Sequence, residues 1–138
     1  NVKLEMLKIT EVNSMSKIKA EIWGREFELP IIVKKFSGED STETQKEAVE
    51  RFKNNLQLIN AAKPEVEKYI LENGLKDNGI TEVDNIFKYV IPKTIAVPQV
   101  KERVVAVMCD FKFDMENGLA IVFENEKFKE VGYQDLVL

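Results

Sequence analysis

The fold is decided by residues 103–131, which read RVVAVMCDFKFDMENGLAIVFENEKFKEV. Apolar residues fill segments 103–113, 119–123 and 128–131, in the short runs that are typical of β-strands. Asn117-Gly118 and the polar stretch 124–127 separate these segments, and both are turn signals. The pattern predicts three consecutive strands that pair as an antiparallel meander.

The first third of the chain also predicts strands, because apolar residues recur there with a period of two. Gly24-Arg25 forms a tight connection between the second and third of these segments, which indicates an antiparallel hairpin. Pro30 predicts that the third strand lies at a sheet edge or carries a bulge. The alternating residues are Val2, Leu4 and Met6, then Ile18, Ala20 and Ile22, then Phe27, Leu29, Ile31 and Val33.

Helices are predicted between these two groups of strands. The segment Thr42-Glu43-Thr44-Gln45 has the form of a capping box, so a helix should begin there and continue with helical apolar spacing to Ile59. Pro64 suits the first turn of a second helix that stops near Gly74.

A third, short helix is predicted over residues 81–90, with Pro92 as its stop. A strand over residues 94–97 then leads into the meander. The order of strands, helices and strands predicts the α+β class, with a largely antiparallel sheet and two to three central helices packed on one face. At 138 residues the chain has the size of one domain, and we expect residues 1–138 to form it.

Composition disfavours several classes of partner. The 20 basic and 24 acidic residues give a net charge of −4, and no basic stripe is present, so nucleic-acid binding is not expected. The longest apolar run, residues 104–109, is too short to cross a bilayer. The chain starts at Asn1 without a leader sequence, which suggests that upstream residues were removed.

The sequence contains no histidine, which removes the commonest acid/base at neutral pH and the commonest metal ligand. The only cysteine, Cys109, alternates in phase with core residues, so it is predicted to be a buried, unreactive thiol. A single cysteine favours a reducing compartment, and hence the cytoplasm. No glycine-rich phosphate loop is present, so no cofactor is predicted.

The nearest approach to a metal site is the acidic group Asp110, Asp114 and Glu116 beside a turn. Their spacing matches no standard calcium loop, so solvated turn carboxylates are the favoured interpretation. Trp23 is predicted to be a partly buried packing residue rather than a stacking platform for a ligand. Six phenylalanines are predicted to lie in the core: Phe52, Phe87, Phe111, Phe113, Phe123 and Phe128.

Residues 110–135 resemble the C-terminal signature of a family of uncharacterised, mainly bacterial domains. The signature combines E-x-G-L-A at 116–120, E-N-E-K at 124–127 and G-x-Q-D at 132–135. The hairpin at Trp23-Gly24 and the helix start at 42–45 are also similar. The resemblance implies a compact α+β fold and supplies no catalytic residues. Gly118 and Gly132 are interpreted as turn residues, and Gln134 and Asp135 as side chains that close the fold.

A non-enzymatic protein-interaction domain is the favoured function, and an immunity-like, toxin-neutralising role is one version of it. Four acidic residues around the first helix start, which would complement a basic partner, are the candidate contacts: Glu39, Asp40, Glu43 and Glu47. The alternative is a carboxylate-based or divalent-metal-assisted hydrolase built around Asp110, Asp114 and Glu116. Oligomer formation through an exposed edge strand is a third interpretation.

Overall fold

The computed structural model describes residues 11–36 and 38–134, and of residues 11–15 the backbone alone. The predicted strand at Val2, Leu4 and Met6 lies outside these residues. The six strands of the sheet are β1 (Glu11–Ile22), β2 (Arg25–Lys35), β3 (Val90–Val97), β4 (Val104–Phe111), β5 (Leu119–Glu124) and β6 (Lys127–Gly132). The helices are α1 (Glu43–Lys53), α2 (Gln57–Ala61) and α3 (Lys63–Ile70), followed by a π-helical turn (Leu71–Leu75) and a 3₁₀ turn (Lys76–Asn78).

The strands are paired in the order in which they occur in the sequence. Every neighbouring pair is antiparallel except β2 and β3, which run parallel over Ile31–Val33 and Ile95–Val97. The helices occupy the long connection between these two parallel strands, because a parallel pair cannot be joined by a tight turn. The predicted α+β class, the largely antiparallel sheet and the C-terminal meander are confirmed.

The first hairpin is confirmed, but its turn lies one residue earlier than predicted. Ile22 pairs with Arg25, so Trp23 and Gly24 form the two-residue loop. Both have positive φ, +51° and +85°, as in the primed turns that match the twist of a hairpin.

Two prolines have roles that the sequence did not predict. Pro30 lies in β2, which is an interior strand, immediately before the ladder to β3 begins at Ile31. The register shift of the first hairpin lies in β1, between Asn13 and Ser16. Pro92, predicted to end a helix, lies inside β3 at a register shift, where a missing backbone N–H is tolerated.

The predicted third helix over residues 81–90 is wrong. This segment contains one 3₁₀ turn, Ile86–Lys88, and Val90 already belongs to β3, where it pairs with Phe111. The apolar residues have helical spacing, yet pairing with β4 and burial of Ile86 and Val90 determine the conformation. The first predicted helix is also interrupted, because α1 ends at Lys53 and α2 begins at Gln57.

Buried side chains form two groups. The larger group joins residues from all three helices with alternate residues of the strands, among them Phe52, Val66, Ile95 and Phe123. The smaller group contains strand residues only: Ala96, Val104, Ala106, Met108, Ala120 and Val122. Strands β4 and β5 contribute to both groups, which explains their continuous apolar runs. Packing of all the helices on one face of the sheet stays a prediction.

Gln45 fixes the start of α1 to the sheet. The predicted capping box is confirmed, since Gln45 N donates to Thr42 Oγ1 at 3.1 Å and Thr42 N donates to Gln45 Oε1 at 2.9 Å. The Gln45 amide also donates to the carbonyls of Lys34, at 2.5 Å, and Val97, at 3.1 Å. One fully buried amide therefore ties α1 to the adjacent C-terminal ends of β2 and β3.

Candidate functional site

The three acidic residues considered as metal ligands lie at the end of β4 and in the loop that follows it. Asp110 lies 3.7 Å from Lys93 Nζ, and Glu116 is exposed. The Asp114 carboxylate accepts hydrogen bonds from Asn117, from its backbone N at 3.1 Å and from Nδ2 at 3.0 Å. Across residues 11–36 and 38–134, no three His, Cys, Asp or Glu side chains form a group that could hold a metal ion.

Cys109 is fully buried in the core, as predicted. Burial raises the pKa of its thiol far above the ordinary value, and the nearby Asp110 carboxylate adds to the rise. Because the thiolate is the nucleophilic form, this cysteine is chemically inert in the folded protein.

The four acidic candidates for partner binding lie around the start of α1. Glu39 and Asp40 are exposed in the segment before the helix. Glu43 lies 3.3 Å from Lys46 Nζ, and Glu47 lies 2.6 Å from Arg51 Nη2. Two of the four carboxylates are thus paired within the helix, and a role of the group in binding stays a prediction.

Four of the six phenylalanines fit their predicted place. Phe52, Phe111 and Phe123 are buried, and Phe87 is partly buried against the core. Phe113 and Phe128 are corrections, since their side chains are 38% and 37% exposed. The ordered strand β4 ends at Phe111, so Phe113 lies in the following loop and is out of phase with the core.

Phe113 belongs to a group of exposed and partly buried side chains at one end of the sheet, which we call the aromatic corner: Tyr69, Tyr89, Phe113, Met115 and Tyr133. The Tyr89 and Phe113 rings are stacked, with centroids 5.6 Å apart and planes at 17°. Tyr69 packs on Phe111, with ring centroids 5.6 Å apart, and Phe111 meets Phe113 edge to face at 5.7 Å. Met115 is 64% exposed and Tyr133 is 49% exposed, whereas Tyr69 and Tyr89 are partly buried against the core.

The pKa of the Tyr69 phenol is raised by burial, and it is also affected by Asp114 in the adjacent loop and by Tyr133, another member of the corner. Burial is the largest cause that raises the pKa of its phenol, and the charges of Asp114 and Tyr133 raise it further. Both residues are therefore within electrostatic reach of the Tyr69 hydroxyl. The phenol remains neutral at physiological pH and keeps its hydrogen-bond donor.

The corner rests on the π-helical turn that follows α3. A Cβ atom at Gly74 would overlap with the Phe113 ring, so a larger residue there would displace the ring from its present position. π-Helical turns are rare and are frequently found at functional sites. The absence of a side chain at Gly74 thus determines where Phe113 is presented.

Hydrogen bonds fix the loop that carries Phe113 and Met115. Gly118 N donates to Asp114 O at 2.8 Å, and Lys112 N donates to Tyr89 O at 2.8 Å. Gln134 forms hydrogen bonds at both ends of the loop. Its backbone N donates to Asn117 O at 3.0 Å, and its Nε2 donates to Cys109 O at 3.0 Å. These bonds hold the backbone of the loop that carries the exposed side chains.

These two hydrogen bonds confirm the fold-closing role predicted for Gln134, whereas Asp135 lies outside the residues described. Gly118 is a turn residue as predicted, with φ +62°, and a Cβ there would overlap with the Gln134 amide. Gly132 is a correction, because it is the buried last residue of β6, opposite Ala120.

The opposite end of the sheet carries an ionic cluster that the sequence did not predict. Glu126 lies in the β5–β6 turn and accepts two hydrogen bonds from the Arg103 guanidinium, at 2.8 and 2.9 Å. Arg51 of α1 lies 3.4 Å from the same carboxylate. The hydrogen bond from Arg103 is the largest cause that lowers the pKa of Glu126.

Sequence patterns did not single out the three tyrosines of the corner, the contact of Gly74 with Phe113 or this ionic cluster. The tyrosines are far apart in the chain, and only folding brings them together. Placement of Trp23 was predicted correctly, since it is partly buried against the core. None of the helices in the part of the chain that the structure describes is long and apolar enough to cross a membrane.

A meander of antiparallel strands, one parallel pair and a long helical connection define an α+β fold with an aromatic corner. Residues 5–138 match the family described as a domain of unknown function, DUF6985, and the chain belongs to that family. The resemblance to an uncharacterised family is thereby confirmed. No curated protein and no solved structure matches the chain.

Proposed function

We propose that this chain is a non-catalytic protein-interaction domain that binds its partner through the aromatic corner. The observation that carries the proposal is the exposure of Phe113, Met115 and Tyr133 in and beside a loop that hydrogen bonds fix. Exposed apolar patches often mark sites where proteins associate, and aromatic residues and methionine are enriched in protein interfaces. A loop that is already fixed by hydrogen bonds also loses little conformational entropy on binding.

The acidic residues Glu39, Asp40, Glu43 and Glu47 supply a second, electrostatic part of the proposal. They lie at the end of the sheet where β2 and β3 end, remote from the corner. Exposed carboxylates there would steer a basic partner and raise its association rate. An immunity-like role against a basic toxin, in a bacterial cell, is the version of the function that uses both surfaces. The buried lone thiol suits the cytoplasm as its compartment.

Site-specific photo-crosslinking in the source cell tests the role of the corner. A photoreactive phenylalanine analogue replaces Phe113 in one variant and Phe128 in the control. The two sites are matched, because both are phenylalanines with closely similar exposure, 38% and 37%. We expect a discrete adduct from position 113, identified by mass spectrometry, and much less of it from position 128.

The adduct should disappear when Met115→Glu is added, because a charge would then be placed inside the apolar contact. Loss of a central interface residue costs about 1–2 kcal/mol, or roughly tenfold in affinity. An unchanged thermal transition of Met115→Glu shows that folding is intact. Equal adduct yields at positions 113 and 128, or an adduct that Met115→Glu leaves unchanged, would count against the corner.

Charge reversal tests the acidic group with the partner so identified. Lysine at all four positions should lower the association rate at low salt and leave the dissociation rate nearly unchanged. The reference is the association rate of the native chain over the same range of salt. If the association rates of both proteins had the same salt dependence, the steering role proposed for the four acidic residues would be wrong. The proposal for the aromatic corner would not be affected.

A further inference from the structure

The chain contains three Asn-Gly pairs, Asn73-Gly74, Asn78-Gly79 and Asn117-Gly118. Asparagine before glycine is prone to spontaneous deamidation, because no side chain hinders attack by the glycine nitrogen. Two of the pairs stand in the same four-residue sequence, Glu-Asn-Gly-Leu, at 72–75 and 116–119. Any difference in reactivity between those two pairs therefore comes from the fold.

The reaction needs a mobile backbone. The Gly nitrogen attacks the Asn side-chain carbonyl carbon, a C–N bond forms and ammonia leaves, which gives a cyclic imide. Water then opens the imide to aspartate or isoaspartate. The glycine N–H must be free of its hydrogen bond and the asparagine must leave the helical conformation, so local opening of the fold limits the rate.

Asn117 is protected by three contacts of its loop. Its Nδ2 donates to the Asp114 carboxylate at 3.0 Å, and its backbone N donates to the same carboxylate at 3.1 Å. Gly118 is buried, and its N donates to Asp114 O at 2.8 Å. Opening this pair would disrupt the loop that presents Phe113.

Asn73 is protected by its place inside the helical segment. Its Nδ2 donates to Tyr69 O at 3.0 Å, one turn earlier. The next residue, Gly74, lies under the Phe113 ring, so opening here would also disrupt the aromatic corner.

Asn78 lacks this protection. It is the last residue of the 3₁₀ turn, and residues 76–80 are all exposed. Its Nδ2 lies 3.5 Å from Gly74 O, at the limit for a hydrogen bond, and Gly79 N donates to Lys76 O within the same short turn at 3.1 Å. A single exposed turn opens at little cost.

We propose that Asn78 is the site at which this protein deamidates, and that the fold protects Asn73 and Asn117. Conversion places a new carboxylate on the exposed turn that follows the support of the corner, without a change in the core. The inference is independent of the proposed binding function.

Peptide mapping by mass spectrometry, after incubation of the native chain at mildly alkaline pH, tests this assignment. We expect Asn78 to convert roughly tenfold or more faster than Asn73 and Asn117, in proportion to the easier opening of its turn. In guanidinium chloride at the same pH, the three pairs should convert at comparable rates, which would show that the order in the native protein comes from its structure.

The variant Asn78→Gln should abolish the early release of ammonia, whereas Asn73→Gln should leave that release unchanged. Native conversion of Asn73 or Asn117 as fast as that of Asn78, or no native conversion at Asn78 while the unfolded chain reacts, would overturn the proposal.

Discussion

The first and the last hairpin of the sheet both turn through left-handed residues, and they hold those residues by different means. In the β1–β2 turn, Trp23 has φ +51°, and in the β5–β6 turn Asn125 and Glu126 have φ +51° and +60°. Left-handed backbone costs a residue with a large side chain about 1–2 kcal/mol. Each turn therefore requires tertiary contacts that offset this cost.

Packing and two hydrogen bonds between side chain and backbone hold the first turn. Trp23 N donates to Asn60 Oδ1 at 2.6 Å, and Trp23 Nε1 donates to Ile59 O at 3.1 Å. Its ring lies 5.9 Å from that of Phe87, over which the Arg25 guanidinium also lies, at 4.1 Å. Helix α2 and the 3₁₀ turn at Ile86–Lys88 thus fix this end of the hairpin.

Ion pairs hold the last turn. Arg103 and Arg51 both contact the Glu126 carboxylate, and Asn125 N donates to Arg103 O at 2.8 Å. Asparagine tolerates the left-handed region, but glutamate does so less readily. The comparison indicates that the first turn depends on buried contact area, whereas the last depends on charge.

The largest effect is expected from Trp23→Ala, which should lower the free energy of unfolding by about 2–4 kcal/mol because it removes a partly buried ring and the hydrogen bond from Trp23 Nε1 to Ile59 O. Trp23→Asn is the matched control, since Asn-Gly is a favoured sequence for this turn. Trp23→Asn should be only about 1 kcal/mol more stable than Trp23→Ala, and so still less stable than the native chain. Chemical denaturation measures both variants, and a Trp23→Asn protein as stable as the native chain would contradict a turn held by packing.

A smaller loss, about 0.5–1 kcal/mol, is expected for Glu126→Gln, which keeps the strained backbone and removes the charge. Glu126→Gly also removes the charge but relieves the backbone, so it should unfold at a higher denaturant concentration than Glu126→Gln. The order of the two midpoints is the readout. If Glu126→Gly proved less stable than Glu126→Gln, strain of the left-handed backbone would not be an important cost at this position.

The smallest effect is a dependence on pH. The lowered pKa of Glu126 means that its contribution is fully present above the pKa of an unfolded glutamate, about 4.3, and is lost as the pH falls through the lower folded value. The stability difference between the native chain and Glu126→Gln should shrink below about pH 4. The difference between the native chain and Trp23→Ala should vary much less over the same range. Parallel pH profiles for the two differences would remove the distinction between the turns.

The sequence predicted the strands well where their apolar runs are bounded by strong turn signals. Asn117-Gly118 and residues 124–127 separate β4, β5 and β6 at nearly the observed positions. It failed at residues 81–90, because Val83, Ile86, Phe87 and Val90 have a spacing that suits a helix equally well as a loop leading into a strand. Pairing of Val90 with Phe111 decided between them, and pairing is a property of distant segments.

The candidate site was less accessible to prediction than the fold. Alternation placed Phe113 in the core, because nothing in the sequence marks the end of β4 at Phe111. The role of Gly74 depends on a ring 39 positions later in the chain, a separation that no local pattern records. Asp110, Asp114 and Glu116 were interpreted as turn carboxylates rather than metal ligands, and the Asp114 carboxylate does cap the turn, although its hydrogen bonds to Asn117 were not predicted.

The parallel ladder between β2 and β3 has a mechanical consequence. It contains three residue pairs, whereas every other ladder of the described strands has at least five. Strands β2 and β3 are thus joined by the shortest ladder among the described strands. The Gln45 amide donates one hydrogen bond to a carbonyl of each of these two strands. Force applied across the strands should meet its least resistance at this interior ladder rather than at an outer strand, and the two hydrogen bonds of the Gln45 side chain add to that resistance.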